Sequence, residues 1–219
     1  MRWCVLRGER ELQQAGGDVD LLVHPADLPA LRTLLGRAGL EELRAWGRWP
    51  HRFFVAPDLK LDVVTALAFG PDATLRTDAA EPMLARSAHG RPAPADAFWA
   101  LLLHALLDRG AVRPSHASEL QGLASHARDA PSPLRPYVEA ACPAGWVADE
   151  AAAGRFEELL GLALELRAHW PGRSPVARAA RARLRGGLRL ASRRLPPRPR
   201  PRAQHNGAIT SNRAARSTG

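Results

Sequence analysis

The chain has 219 residues, 46% of them hydrophobic, which predicts one domain, or a domain with an appendage, built around a buried core. Its formal net charge of +9 suggests a nucleic-acid or membrane partner. That charge is confined to one end, because residues 173–219 hold 13 arginines and no acidic residue. Residues 1–172 hold 18 basic and 22 acidic residues, so the body of the protein is mildly acidic.

Membrane and disulfide-rich classes of protein are excluded by simple counts. No apolar run approaches the roughly 20 residues that span a bilayer, and the first residues lack the layout of a signal peptide. The two cysteines, Cys4 and Cys142, are too few for a disulfide framework or a zinc site. We expect a cytoplasmic protein with two reduced thiols.

The first 66 residues predict a small mixed sheet with one helix. Short apolar runs with polar residues at alternating positions are typical of half-buried strands, and leucines at helical spacing indicate an amphipathic helix. The turn before the last strand contains Pro57 and Asp58, which are common turn residues. In chain order the predicted elements are strands at 3–6 and 18–23, a helix at 25–38, and strands at 51–55 and 59–64.

Beyond residue 66 the sequence predicts helices. The strongest is 96–109, which is apolar on nearly all sides and closes at Gly110, so it should be deeply packed. Proline and glycine separate it from its neighbours. The further predicted helices are 119–127, 134–141 and 150–169.

Three acidic residues carry the chemical signal of the chain. Asp18 and Asp20 stand at alternating positions of one predicted strand, so their side chains share a face, and Asp62 lies in a second strand that can pair beside it. Converging carboxylates repel one another unless a divalent cation neutralises them. Mg²⁺ suits such a set because it prefers oxygen ligands and keeps positions open for substrate phosphates.

These residues occur in an order that resembles a known family. The strand Val-Leu-Arg-Gly at 5–8 precedes Gly-Asp-Val-Asp at 17–20, and a later strand reads Leu-Asp-Val at 61–63. Over about residues 3–66 this resembles the minimal nucleotidyltransferase fold of the DNA-polymerase-β-like superfamily. It is similar more narrowly to uncharacterised bacterial nucleotidyltransferases, some of which are fused ahead of a thymidylate-kinase-like domain.

The resemblance implies a reaction and a set of site residues. Asp18 and Asp20 would bind Mg²⁺, with two ions possible, and Asp62 would share a metal and help to activate the attacking hydroxyl. Gly8 ends a strand where bare backbone could approach a phosphate, and Arg7 adds a positive charge. The expected activity is transfer of a nucleoside monophosphate from a nucleoside triphosphate to a hydroxyl acceptor.

An alternative of a different class is a catalytically silent module. Glu9 stands where the superfamily usually has glycine or serine, and its carboxylate would repel a triphosphate. The chain would then be the N-terminal part of a former fusion with a thymidylate-kinase-like domain, and it would act in binding or regulation.

Histidine and tryptophan side chains admit both structural and functional interpretations. His104 lies within the apolar helix and is expected to be a hydrogen-bonded core histidine. His51 could reach a phosphate, but a surface position is favoured. Trp46 and Trp49 are candidates for stacking on a base, although filling the core is the commoner role.

The basic tail has three interpretations. It could contact nucleic acid or an anionic membrane, which is not favoured, or it could pack on the acidic body. It also resembles the basic connector that leads into the kinase in fused relatives, with 207–219 as a possible remnant of a kinase start. The expected organisation is an α+β nucleotidyltransferase-like core at 1–68, a helical subdomain at 69–172, a basic amphipathic helix at 173–195 and a disordered Pro/Arg-rich tail at 196–219.

Overall fold

The computed structural model of the protein describes residues 1–9, 17–44 and 49–171. The predictions for the tail at 173–195 and 196–219, including its contacts with nucleic acid or a membrane, lie outside the described residues. The prediction for Trp46 lies outside them too. In the part of the chain that is described, no helix is long and apolar enough to cross a membrane.

Five strands of the described chain form one sheet. They are β1 (Trp3–Arg7), β2 (Gly17–Val23), β3 (Glu41–Glu42), β4 (His51–Val55) and β5 (Leu59–Val64). Their order in the sheet is β1-β2-β5-β4-β3. β2 pairs with β5 in parallel, whereas β1 pairs with β2, β5 with β4, and β4 with β3 in antiparallel fashion. The mixed sheet expected from the sequence is therefore confirmed.

One face of the sheet is closed by the first helix. The chain leaves β2 through a 3₁₀ turn, Pro25–Asp27, whose first residues are capped by the His24 side chain. Helix α1 (Leu28–Arg37) follows, and its buried Leu31 packs against the apolar side chains that alternate along the strands. This face is a small core of its own, formed by Val5, Val19, Leu21, Val23, Phe54, Leu61 and Val63.

The other face carries the acidic residues. Leu22 and Val64 lie on this face and pack into the larger core with the C-terminal helices. Asp20 shares the face of Leu22, and Asp62 shares that of Val64, because side chains two apart in a strand point the same way. The acids therefore lie beside the packed part of this face, next to the helices.

The helices that cover this face follow in sequence. Helix α3 (Pro94–Leu103) is buried on nearly all sides and continues into a π-helical turn, His104–Arg109, which ends at Gly110 in a left-handed conformation. The helix predicted at 96–109 is thereby confirmed. The remaining helices are α2 (Ala80–Arg86), α4 (Pro114–Ala127), α5 (Arg135–Glu139), α6 (Ala144–Ala152) and α7 (Phe156–His169).

Two features of this second half differ from the sequence prediction. The antiparallel strands β6 (Ala68–Phe69) and β7 (Leu75–Arg76) and helix α2 occupy a stretch for which no element was predicted. The helix predicted at 150–169 is two helices, because Gly154 adopts a positive φ of 75° between α6 and α7. That conformation is the usual way for a helix to end at glycine.

Gly8 is required by the close approach of β1 to β2. Its φ is +83°, and a Cβ atom added there would lie 2.4 Å from the backbone oxygen of Asp18 and 2.9 Å from the Cα of Val19. Both contacts are with backbone, which cannot move aside without disturbing the sheet. The geometry of the fold thus explains this glycine without a ligand.

Replacing Gly8 by alanine is expected to lower the free energy of unfolding by roughly 1–3 kcal/mol, because the positive φ and the clash are both unfavourable. The matched control is Gly36→Ala in α1, where an added Cβ would meet no atom within 4 Å. That change should be neutral or stabilise by up to about 1 kcal/mol, since alanine favours the helix. Urea denaturation followed by circular dichroism measures both, and equal stabilities of the two variants would contradict the assignment.

Candidate functional site

A cavity of about 880 Å³ lies between the acidic face of the sheet and the π-helical turn. This volume is within the range of small-molecule binding sites. The sheet wall carries the three predicted acids, Asp18, Asp20 and Asp62, and the helix wall carries His104, Asp108 and Arg109. The structure therefore brings all three predicted acids to one cavity.

The parallel register of β2 and β5 sets the arrangement of the acids. Asp20 is paired directly with Asp62 across the two strands, which in a sheet are about 4.8 Å apart. Their side chains are 22% and 18% exposed. Asp18 lies two residues earlier on the same strand face, and its side chain is 76% exposed. The site thus has an inner carboxylate pair and a third carboxylate nearer to solvent.

The inner carboxylates each contact a basic side chain. Arg7 donates from Nε to Oδ2 of Asp20 over 2.6 Å, and Nδ1 of His51 lies 2.9 Å from both carboxyl oxygens of Asp62. The hydrogen bond to Asp62 raises the pKa of His51, against the effect of burial. The mutual repulsion of the two acids is therefore offset by protein groups.

Lys60 lies beside the outer acid, Asp18. It is the register partner of Asp18 across β2 and β5, and its Nζ lies 3.4 Å from Oδ1 of Asp18. The ammonium also lies 5.6 Å from the ring centre of Phe53. Each of the three acids thus has a basic side chain beside it that a neighbouring strand supplies.

His51 was expected at the surface, and the structure instead places it against Asp62 in the cavity wall. The signal was present in the sequence, because His51 and Phe53 lie two residues apart in one strand and therefore share a face. In the structure this strand, β4, runs antiparallel to β5. The register between the two strands was the missing information. A side chain one position along would have pointed to the opposite face.

Two of the three predicted metal ligands, rather than all three, could hold a Mg²⁺ ion. Among the described residues no group of three or more His, Cys, Asp or Glu side chains is placed to hold a metal ion. Mg²⁺ in phosphate-transfer sites is commonly held by one or two carboxylates, with waters and substrate phosphates as the other ligands. Asp20 and Asp62 are two such carboxylates at the same height of the sheet, facing one cavity.

The two residues predicted to approach phosphate have different surroundings. Arg7 lines the cavity, where it is held by Asp20. Gly8 lies against the backbone of Asp18 and Val19. The neighbouring Glu9, whose charge was expected to repel a triphosphate, forms an ion pair with Arg91, which partly compensates that charge.

Trp49 lies on the wall of the cavity with a large exposed area. Its residue exposure is 48%, and the guanidinium carbon of Arg76 lies 4.3 Å from the ring centre. An exposed aromatic ring beside a cavity is a suitable surface for stacking on a planar ligand.

His104 is confirmed as a hydrogen-bonded histidine. Its side chain is only 10% exposed, and Nδ1 lies 2.8 Å from Oδ2 of Asp108. Sequence reasoning assigned it to the core, but it also lines the cavity.

No protein-family model, curated protein or solved structure matches the chain.

The contribution of His104 to stability should depend on pH. Burial lowers the pKa of His104 below its usual value of 6.5, so the unfolded chain binds the proton more readily than the folded one. The stability that neutral His104 contributes is then present above about pH 6.5 and lost as the pH falls towards the lowered pKa. We expect the stability difference between wild type and His104→Asn to be smaller at pH 5 than at pH 7.5.

Chemical denaturation of both proteins at the two pH values checks this expectation. A difference that is unchanged, or larger at pH 5, would contradict the assignment of a buried neutral imidazole.

Proposed function

We propose that the protein is a Mg²⁺-dependent nucleotidyltransferase that transfers a nucleoside monophosphate from a nucleoside triphosphate to a hydroxyl acceptor. The observation that carries the proposal is the pairing of Asp20 with Asp62 on neighbouring parallel strands that line one cavity. The order of strands and acids along the chain, which resembles the minimal nucleotidyltransferase fold, supports it.

The charges of the cavity suit a nucleotide bound with a cation. The sheet wall supplies carboxylates for Mg²⁺, while Arg7, Lys60 and Arg109 supply positive charge for phosphates. Guanidinium groups pair well with phosphate oxygens because they donate two parallel hydrogen bonds. Trp49 offers its ring to the base.

The inner carboxylates would hold the metal, and Asp62 would act on the acceptor. Mg²⁺ bound by Asp20 and Asp62 would supply charge stabilisation for the reacting phosphate. Asp62 would take the proton of the acceptor hydroxyl as its oxygen bonds to the α-phosphorus. The bond from that phosphorus to the bridging oxygen of the β-phosphate breaks, and pyrophosphate leaves.

Arg7 and His51 have a defined part in this scheme. They would hold Asp20 and Asp62 in place before substrate binds, since both donate hydrogen bonds to the carboxylates. When a cation occupies the carboxylates, Arg7 becomes available to a phosphate at the same place. The ion pairs thus prepare the site for a substrate that arrives together with its metal.

The second candidate function is the catalytically silent binding module. It is favoured by the same contacts, because acids that already have Arg7, His51 and Lys60 as partners need no metal for stability. In that case the cavity would bind a nucleotide or another anion without transferring a group.

Isothermal titration tests the proposal with Mg²⁺ and each of the four ribonucleoside triphosphates. We expect wild type to bind a triphosphate only with Mg²⁺ present. Asp20→Asn should weaken that binding more than about tenfold, since changing even an outer partner of a metal ligand costs 10–100-fold. The matched control is Asp58→Asn, an exposed acid in the turn between β4 and β5, which should bind like wild type.

The outcomes separate the two candidates. Pyrophosphate release with a panel of hydroxyl acceptors supports the transferase. Metal-dependent binding without release over the whole panel supports the silent module. Absence of triphosphate binding by wild type contradicts the proposed function.

A further inference from the structure

A chain of hydrogen bonds runs along the helix wall of the cavity to the guanidinium group of Arg109. The backbone N–H of Gly70 donates to Oδ1 of Asp108 over 2.5 Å. The other carboxyl oxygen, Oδ2, lies 2.8 Å from Nδ1 of His104. Nε of Arg109 then donates to Nε2 of the same imidazole over 3.3 Å.

The direction of these bonds fixes the form of His104. An arginine can only donate, so Nε2 of His104 accepts and carries no proton. The proton is on Nδ1, which donates to Asp108. His104 is therefore neutral, in agreement with the pKa that burial lowers. Among the described cationic side chains, Arg109 alone takes part in this chain of hydrogen bonds.

Arg109 differs from the other cations of the cavity in having no carboxylate partner. Arg7 is paired with Asp20 and Lys60 with Asp18, but within the described residues no ion pair joins Arg109 to an acid. Asp108 is close in sequence, yet both of its oxygens are used by Gly70 and His104. Among the residues that the structure describes, Arg109 is thus a cation at the cavity that forms no ion pair.

The backbone at this point is specialised. His104–Arg109 is a π-helical turn at the end of a deeply buried helix, and such turns occur frequently at functional sites. Here His104, Asp108 and Arg109 all reach the cavity. Burial has the largest effect on the pKa of His104 and lowers it, while the hydrogen bond to Asp108 raises it. The charges of Arg7 and Arg109 each lower it further. Two guanidinium groups therefore lie near one ring.

We propose that Arg109, positioned by His104 and Asp108, binds the terminal phosphates of the nucleotide and the pyrophosphate formed from them. This inference rests on the proposed function for the identity of the nucleotide. The physical basis of the inference does not depend on the proposed function. A guanidinium group that is held beside a cavity and forms no ion pair is a site for a phosphate anion. After Nε has donated to His104, the two terminal nitrogens of Arg109 make no hydrogen bond within the described residues, so they are available for a bidentate contact.

The test compares Arg109→Gln with Arg37→Gln by isothermal titration. Arg37 is exposed and is the last residue of α1. This control therefore tests whether removing the charge of any arginine at a helix end has the same effect. The probes are inorganic pyrophosphate, the Mg²⁺-bound triphosphate and the corresponding monophosphate. Arg109→Gln is expected to weaken binding of pyrophosphate and triphosphate about tenfold or more and to leave monophosphate binding unchanged, while Arg37→Gln changes none of them.

The positioning role of the other two residues has its own readout. Asp108→Ala removes the acceptor that orients His104, and it should reduce the preference for triphosphate over monophosphate in the same direction as Arg109→Gln. If Asp108 had a merely structural role, the variant would lose stability or would bind both ligands equally more weakly. The ratio of triphosphate to monophosphate affinity would then not change. Denaturation of each variant is measured in parallel.

Several outcomes would overturn the inference. These are unchanged pyrophosphate and triphosphate affinity in Arg109→Gln, an equal loss in Arg37→Gln, or a ratio that Asp108→Ala does not move. Pyrophosphate binding that is lost in Arg109→Gln supports the anion site even where wild type binds no nucleotide, which is the outcome that contradicts the proposed function. The two failures are therefore distinguishable.

Discussion

The register between β2 and β5 is the constraint on which the rest of the site depends. It sets Asp20 directly opposite Asp62 on a face that the helices partly cover, where two carboxylates without partners would be costly. The strands on either side supply the compensation, because β1 carries Arg7 and β4 carries His51. The strand order of the sheet therefore also sets the charge balance of the cavity.

The same packing leaves a cavity with unlike walls. On the sheet side each of the three acids has a basic side chain beside it, and on the helix side Arg109 forms no ion pair with any described residue. A guanidinium group on one wall opposite a carboxylate pair on the other is the charge pattern that a metal-bound phosphate would complement. Gly8 lets β1 approach β2 closely enough for Arg7 to reach Asp20, since any larger residue would meet the backbone of Asp18.

Much of this could be predicted from the sequence, and the remainder has identifiable physical reasons. Alternation predicted the strands at 51–55 and 59–64, whose bounds the structure reproduces, and it placed the acids on common faces. Their partners were not predictable, because His51 meets Asp62 only in one register of β4 against β5. The chain of bonds to Arg109 depends on a π-helical turn, and such a turn leaves the periodicity of the sequence nearly unchanged. The short strands β6 and β7, of two residues each, are below the length at which alternation is visible.

The central claim, that the inner carboxylate pair is a cation site for phosphate chemistry, is tested most directly by anomalous diffraction. Crystals would be grown with Mn²⁺, a substitute for Mg²⁺ that can be located by its anomalous signal, and a non-hydrolysable nucleoside triphosphate. We expect a Mn²⁺ peak contacting Asp20 and Asp62, with Arg7 withdrawn from Asp20 towards the phosphates. A nucleotide bound in the cavity with no metal at these carboxylates, and with the pairs Arg7–Asp20 and His51–Asp62 intact, would contradict it.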